Sequence, residues 1–452
     1  MKAYPKKIAL AVSLFMAVTA QANVFKSYND DGALFRSNLN SQFNSGVAEH
    51  LDKKIKTKDA SLYLLEKARL LQVQNNFEAS ADTYKKAFEV LDQQNNRAKI
   101  SASKLGFKAL SLVSNDSVVP YDIPRYEQVL AHISQAKNYV ALNNAEAAGV
   151  EMRVAQRIQR EIEQDHAKEF EKAQKNKKTT EDEKKNNALL DEAFNGLDPI
   201  AGRVKNTYQN AYAFYMAANL WEALGEFNDA LVDYKKSYEL QPDPTIAEDV
   251  KRLDRISAKN SATVPVVFFI EQGIVPQKIE NKIDIPLPNG LVNFAFATYE
   301  PSTYVAPQTL KVQFKGVKKP LESYVLNDIG ALAVKELKEK TMSNITSQIM
   351  RSTAKYAVQQ EVGNRLGVFG QIAGNLLNAA TERADLRAWS TLPSNTQIVR
   401  TELKPGTHEF QIVGQRISTD PIALNVQAGQ TVFVYVNDVN EKITTNIATV
   451  KH

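Results

Sequence analysis

Cysteine is absent from the 452 residues, and histidine occurs only five times. Without cysteine there are no disulfides, so an exported chain must hold together by packing alone. The same absence excludes a bacterial lipoprotein, whose lipid is carried on a cysteine. None of His50, His132, His166, His408 and His452 stands at metal-ligand spacing from another, and no HExxH occurs. A zinc site would need distant groups to converge, so no metal or other cofactor is expected. A Walker A loop, G-x-G-x-x-G and G-x-S-x-G are missing too, and no catalytic residue is assigned. No apolar run of spanning length, roughly 20 residues, follows the first 22 positions. Nor does one sign of charge dominate. Loss of residues 1–22 removes three lysines and no acid, taking the formal charge from +5 to +2. That balance gives no reason to expect nucleic acid or a polybasic membrane contact.

What is present begins with an export signal. Lys2, Lys6 and Lys7 precede the apolar stretch Ile8–Val18, and Ala20-Gln21-Ala22 offers a small-x-small cleavage pattern. Residues 1–22 therefore read as a cleavable signal peptide, and the address as the periplasm.

Residues 23–258 read as helical, with apolar positions recurring at three- and four-residue steps. Turn signals at Asn75-Asn76, Asn143-Asn144 and Gly225-Glu226 divide the region into helical hairpins, and Asp243-Pro244 opens a further helix. A charged insertion of mixed sign lies near 165–190 and reads as a solvated helix end and loop. From 259 to 452 the pattern becomes α+β. Strands are expected over 264–316, helices over 326–384, and strands again over 389–450. The fold class is thus α+β multidomain, an N-terminal all-α helical repeat domain followed by a β-sandwich-like domain with inserted helices.

"LWEALGEFNDALVDYKKSYELQP" (220–242) carries the offsets of a TPR hairpin: Ala218, Trp221, Gly225, Phe227, Ala230, Tyr234 and Pro242. "LYLLEKARLLQVQNNFEASADTYKKAFEV" repeats them at Ala68, Leu71, Asn75, Phe77, Ser80, Tyr84 and Ala87, and 125–158 fits a degenerate third copy. In that register Phe77 and Phe227 are equivalent wedges. Leu62, Leu65, Arg69 and Gln72, with Tyr212, Tyr215, Asn219 and Glu222, then line a concave face suited to a peptide. Two further features stand out. Gly363, Gly367, Gly370 and Gly374 are spaced for close helix packing, or for peripheral docking on a membrane. In "RADLRAW", Asp385 and Arg387 can pair beside Trp389, whose indole can stack on the guanidinium.

The order of segments, above all "IEQGIVPQK" and "TERADLRAWSTLP", resembles a group of bacterial envelope proteins with TPR-like repeats. Its members are commonly described as TPR-containing lipoproteins without an assigned activity. The resemblance implies an envelope address and no catalytic residues; the missing cysteine departs from it and removes the lipid anchor. Together these features suggest a non-enzymatic periplasmic scaffold or adaptor for an envelope protein or peptide. A cell-wall-acting enzyme, and an outer-membrane-associated assembly factor docking through the glycine-rich helix, are the alternatives. N-terminal sequencing of the protein recovered from the periplasm is expected to begin at Asn23; a retained Met1 would contradict the export assignment.

Overall fold

The computed structural model describes residues 28–39, 45–104, 120–175, 191–192, 194, 196–207, 209–254, 262–287, 290–362 and 384–451. Among these, ten helices precede the first strand: α1 Tyr28–Ser37, α2 Ser45–Lys54, α3 Ala60–Val73, α4 Phe77–Lys104, α5 Arg125–Ala141, α6 Ala145–Lys175, α7 Asp198–Ala201, α8 Ala211–Ala223, α9 Phe227–Leu240 and α10 Pro244–Leu253.

Six of them form three hairpins, α3/α4, α5/α6 and α8/α9, stacked in chain order. All three turn in the same way. Asn75, Asn143 and Gly225 adopt left-handed φ values of 61°, 57° and 79°, a conformation open to asparagine and glycine but costly for most residues. The next amide then reaches back five residues. Asn76 N donates to Leu71 O, Asn144 N to Tyr139 O and Glu226 N to Trp221 O, at 3.0, 2.7 and 2.8 Å. This closure satisfies carbonyls that the helix end would leave open. The α10 start is as expected: the Asp243 carboxylate accepts from Thr245 N at 2.8 Å, with Pro244 in the first turn.

Five strands form a mixed sheet in the order β11(Lys442–Lys451)-β10(Gln430–Val439)-β1(Val264–Gln272)-β7(Asn395–Leu403)-β6(Tyr324–Asp328). Within it β1 and β10 run parallel and the other neighbours antiparallel. A second sheet, β5(Leu321–Glu322)-β4(Lys311–Phe314)-β8(Gly406–Val413)-β9(Ile422–Val426), is antiparallel. Both strand blocks of the sequence therefore contribute to both sheets. The hairpin β2(Lys278–Leu287)/β3(Gly290–Tyr299) stands apart and packs against α11 (Ile329–Val362). A helix expected from about residue 326 starts at Ile329 instead. Residues 324–328 pair with β7, and the Asp328 carboxylate caps the helix by accepting from Ala331 N.

Alternation along β1 explains the layering. Val264, Val266, Phe268 and Ile270 meet Phe314, Phe410, Ile412 and Leu424 of the second sheet. Val267 and Phe269 face the other way, into one core shared with the helices. The Phe269 ring lies edge-on to Tyr212 at 5.8 Å and to Phe433 at 5.6 Å. The order of layers is thus outer helices (α4, α6, α9), inner helices (α3, α5, α8), mixed sheet and antiparallel sheet. Every residue of α8 is buried, as befits a helix covered on all sides.

Helices and sheet share that core, so the intact chain is expected to melt in one cooperative transition by calorimetry. A fragment of residues 23–258, with Phe269 gone and Tyr212, Tyr215 and Leu65 bared, should aggregate or melt without a sigmoidal transition. A soluble, cooperatively folded fragment would show that the sheet is not needed.

Candidate functional site

The eight residues assigned to a concave ligand face come together, but their surface is covered. Leu62, Leu65, Arg69, Gln72, Tyr212, Tyr215, Asn219 and Glu222 are all buried, and the chain's own mixed sheet lies against them. Each hairpin sends polar groups into that sheet. Glu271, on the helix side of β1, is gripped at 2.6 Å by Arg69 from α3 and at 2.6 Å by Lys137 from α5. Arg69 also donates to Gln72 and to Asn437 of β10. Gln72 donates to Ser134 O and Asn138 Oδ1, both at 2.7 Å. Asn138 donates in turn to Ser80 Oγ, which bonds Ala68 O across the first hairpin. Burial pushes the Glu271 carboxyl up, and the charges of Arg69 and Lys137 outweigh it, holding it down at about 2.

The third hairpin does the same through Arg400 of β7. Its guanidinium meets Glu222 at 3.1 Å and Asp249 of α10 at 3.0 Å, and donates to Asn219 Oδ1. Arg252 caps the group with a second guanidinium on Glu222 and Asp249. Tyr215 donates to Asp249 and Tyr234 to Glu222. Burial raises the Glu222 carboxyl, but Arg400 and Arg252 bring it to about 2.

The segment 384–391 is clamped by acids from the first two hairpins. Arg387 forms a two-pronged pair with Asp385, at 2.8 and 2.7 Å, and also bonds Asp59. The pairing agrees with expectation, but the stacking does not. The guanidinium lies over the Tyr121 ring, 5.7 Å from its centre. Trp389 is wholly buried and instead meets Tyr84 edge-on at 6.1 Å. Glu66 accepts from the backbone and hydroxyls of Ser390 and Thr391 and from Tyr28. Glu127 accepts from Tyr121, Tyr126 and Trp389 N. Burial pushes its carboxyl up to about 7, against Lys278 and these hydrogen bonds.

Two more expectations resolve differently. Phe77 and Phe227 both open the second helix of a hairpin, yet neither is a buried wedge: Phe77 is half-buried and Phe227 is 42% exposed. Tyr84 and Tyr234, seven residues on, are the buried rings. Gly363, Gly367, Gly370 and Gly374 lie outside the described residues. Among the described residues, no group of three or more His, Asp or Glu is placed to hold a metal ion, and no helix is long and apolar enough to cross a membrane.

Glu271, Arg400, Lys137, Glu66 and Glu127 escaped the sequence reading. For two of them there was a signal. Glu271 in "VVFFIEQ" and Arg400 in "TQIVRTEL" each interrupt an apolar strand with a charge, and a buried charge needs a partner. No protein-family model matches the chain, and neither a curated protein nor a solved structure matches it.

Two outcomes follow from these pairs. Glu271→Gln strands two buried cations and is expected to cost about 3–5 kcal/mol of stability in urea titration, whereas a joint Arg69→Met, Lys137→Met, Glu271→Leu replacement should cost far less. The two carboxyls also respond to pH with opposite sign. The stability that Glu271 supplies is complete above the usual glutamate range, near 4.3, and is lost as pH falls toward 2. Glu127 binds its proton more firmly when folded, so its contribution falls as pH rises from about 4.3 to about 7. Glu127→Gln should therefore gain stability relative to the parent between pH 5 and pH 8, on the order of 2 kcal/mol. A flat difference in melting temperature across that range would contradict the assignment.

Proposed function

We propose that the protein is a non-enzymatic periplasmic scaffold or adaptor that binds a protein partner in the bacterial cell envelope. In this reading the helical region is a TPR-like repeat, the two stacked sheets are a β-sandwich-like domain, and residues 1–22 are the cleaved export signal. The observation that carries it is the coupling of three stacked hairpins to one sheet through Arg69–Glu271–Lys137 and Glu222–Arg400–Asp249. Helices tied in this way serve as a frame, and their inner face is already taken. The partner surface is accordingly assigned to the outer helices, where Val150 of α6 and Val232 and Tyr238 of α9 are exposed.

One observation favours the cell-wall enzyme alternative: a carboxyl pushed to about 7 is the sort of group acid–base catalysis uses. Against it, Glu127 is enclosed and hydrogen-bonded to Tyr121, Tyr126 and the Trp389 amide. That favours a structural role.

Photo-crosslinking residues placed in cells at Val150, Val232 and Tyr215 test the proposal. Discrete adducts to one second protein are expected from the two outer positions and none from Tyr215. With export verified, no adduct at either outer position would overturn the adaptor reading.

A further inference from the structure

A cavity of about 270 Å³ lies where the helical layer meets the β6 edge of the mixed sheet. One wall is residues 203–206, Gln209 and Ala211 with Leu240 and Gln241 at the end of α9; the other is Pro307 with residues 325–328. The seam between two layers is a common place for a ligand.

The polar groups around it are unbalanced. Asp328, the one acid in the lining, is fully engaged. Its Oδ2 accepts from Arg203 Nε at 2.8 Å and Tyr304 OH at 2.6 Å, and its Oδ1 accepts from Ala331 N at 2.9 Å. The charged groups that remain are donors. The terminal nitrogens of Arg203 and the ammonium of Lys205 have no partner among the described residues. Asn327 is 7% exposed, and its amide nitrogen, Nδ2, is buried without a hydrogen-bond partner. An unsatisfied buried donor is costly, and a ligand acceptor relieves that cost. Val204, Leu240, Pro307 and Val325 supply apolar wall. The volume falls at the small end of ligand sites and suits a group the size of one amino-acid residue.

We propose that this cavity binds the carboxylate of a small apolar acid of the N-acylated amino-acid type. The carboxylate meets Arg203, Lys205 and Asn327, and the side chain lies on Leu240 and Pro307. A free acyl amino acid and the C-terminal residue of a peptide share that chemistry. The inference is independent of the adaptor reading, since it needs no protein partner.

Calorimetric titration of the full chain with four probes tests it: N-acetyl-leucine, N-acetyl-leucinamide, a pentapeptide ending in leucine with a free carboxylate, and inorganic phosphate. N-acetyl-leucine is expected to bind at least about tenfold more tightly than the amide or phosphate, because hydrogen bonds to a charged acceptor are the stronger ones. A pentapeptide that binds as well identifies a chain end as the source; one that binds worse identifies a free acid. Lys205→Gln, at an exposed position, should weaken the acid about tenfold, leave the amide unchanged and preserve the melting temperature. Arg203→Gln should act in the same direction. No binding of the acid, equal binding of acid and amide, or acid binding indifferent to both substitutions would overturn the proposal.

Discussion

Glu271 is a carboxylate next to the end of strand β1, two residues beyond Phe269 on the same side, facing a layer of helices. Left alone there it would be intolerable, and the chain answers with one cation from each of two hairpins at 2.6 Å. That requirement fixes the first and second hairpins against each other and against β1 together. Arg400 imposes the same condition on the third hairpin and on α10. Apolar contact alone would hold the layers together but would allow them to slide. Paired charges of limited reach set the register.

The inner helices follow from this. A surface helix needs one apolar stripe, yet α8 buries every residue from Ala211 to Ala223. Its small residues, Ala213, Ala217 and Ala218, are buried in the shared core, while Tyr212 and Tyr215 meet Phe269 on the sheet. The chain closes these tyrosines over with its own strands. The clamp on 384–391 by Glu66, Glu127 and Asp59 extends the same principle to the segment entering β7.

Much of the local structure was legible. Asn75, Asn143 and Gly225 mark turns because a left-handed residue is a property of the residue itself. Asp243-Pro244 marks a helix start for the same kind of reason, and β1 announces itself by a run of branched and aromatic residues. The eight inner-face residues recur at three- and four-residue steps, a spacing that sets each group of four on one side of its helix. What covers that side was not legible, because the partners of Arg69 and Glu222 lie about 200 residues away along the chain, in Glu271 and Arg400. The same holds for Arg387, which was expected against Trp389, two residues on, and found its ring in Tyr121.

The sequence by itself determined the hairpins, their turns and caps, the change from helix to strand near 260, and the absence of disulfides, since each depends on residues within a few positions of one another. Tertiary structure alone decided that the inner face is filled, that Glu271 and Arg400 are its anchors, and that a donor-lined cavity opens beside β6. Those outcomes depend on which distant side chains meet, and a buried charge makes its partner necessary without saying where in the chain that partner is.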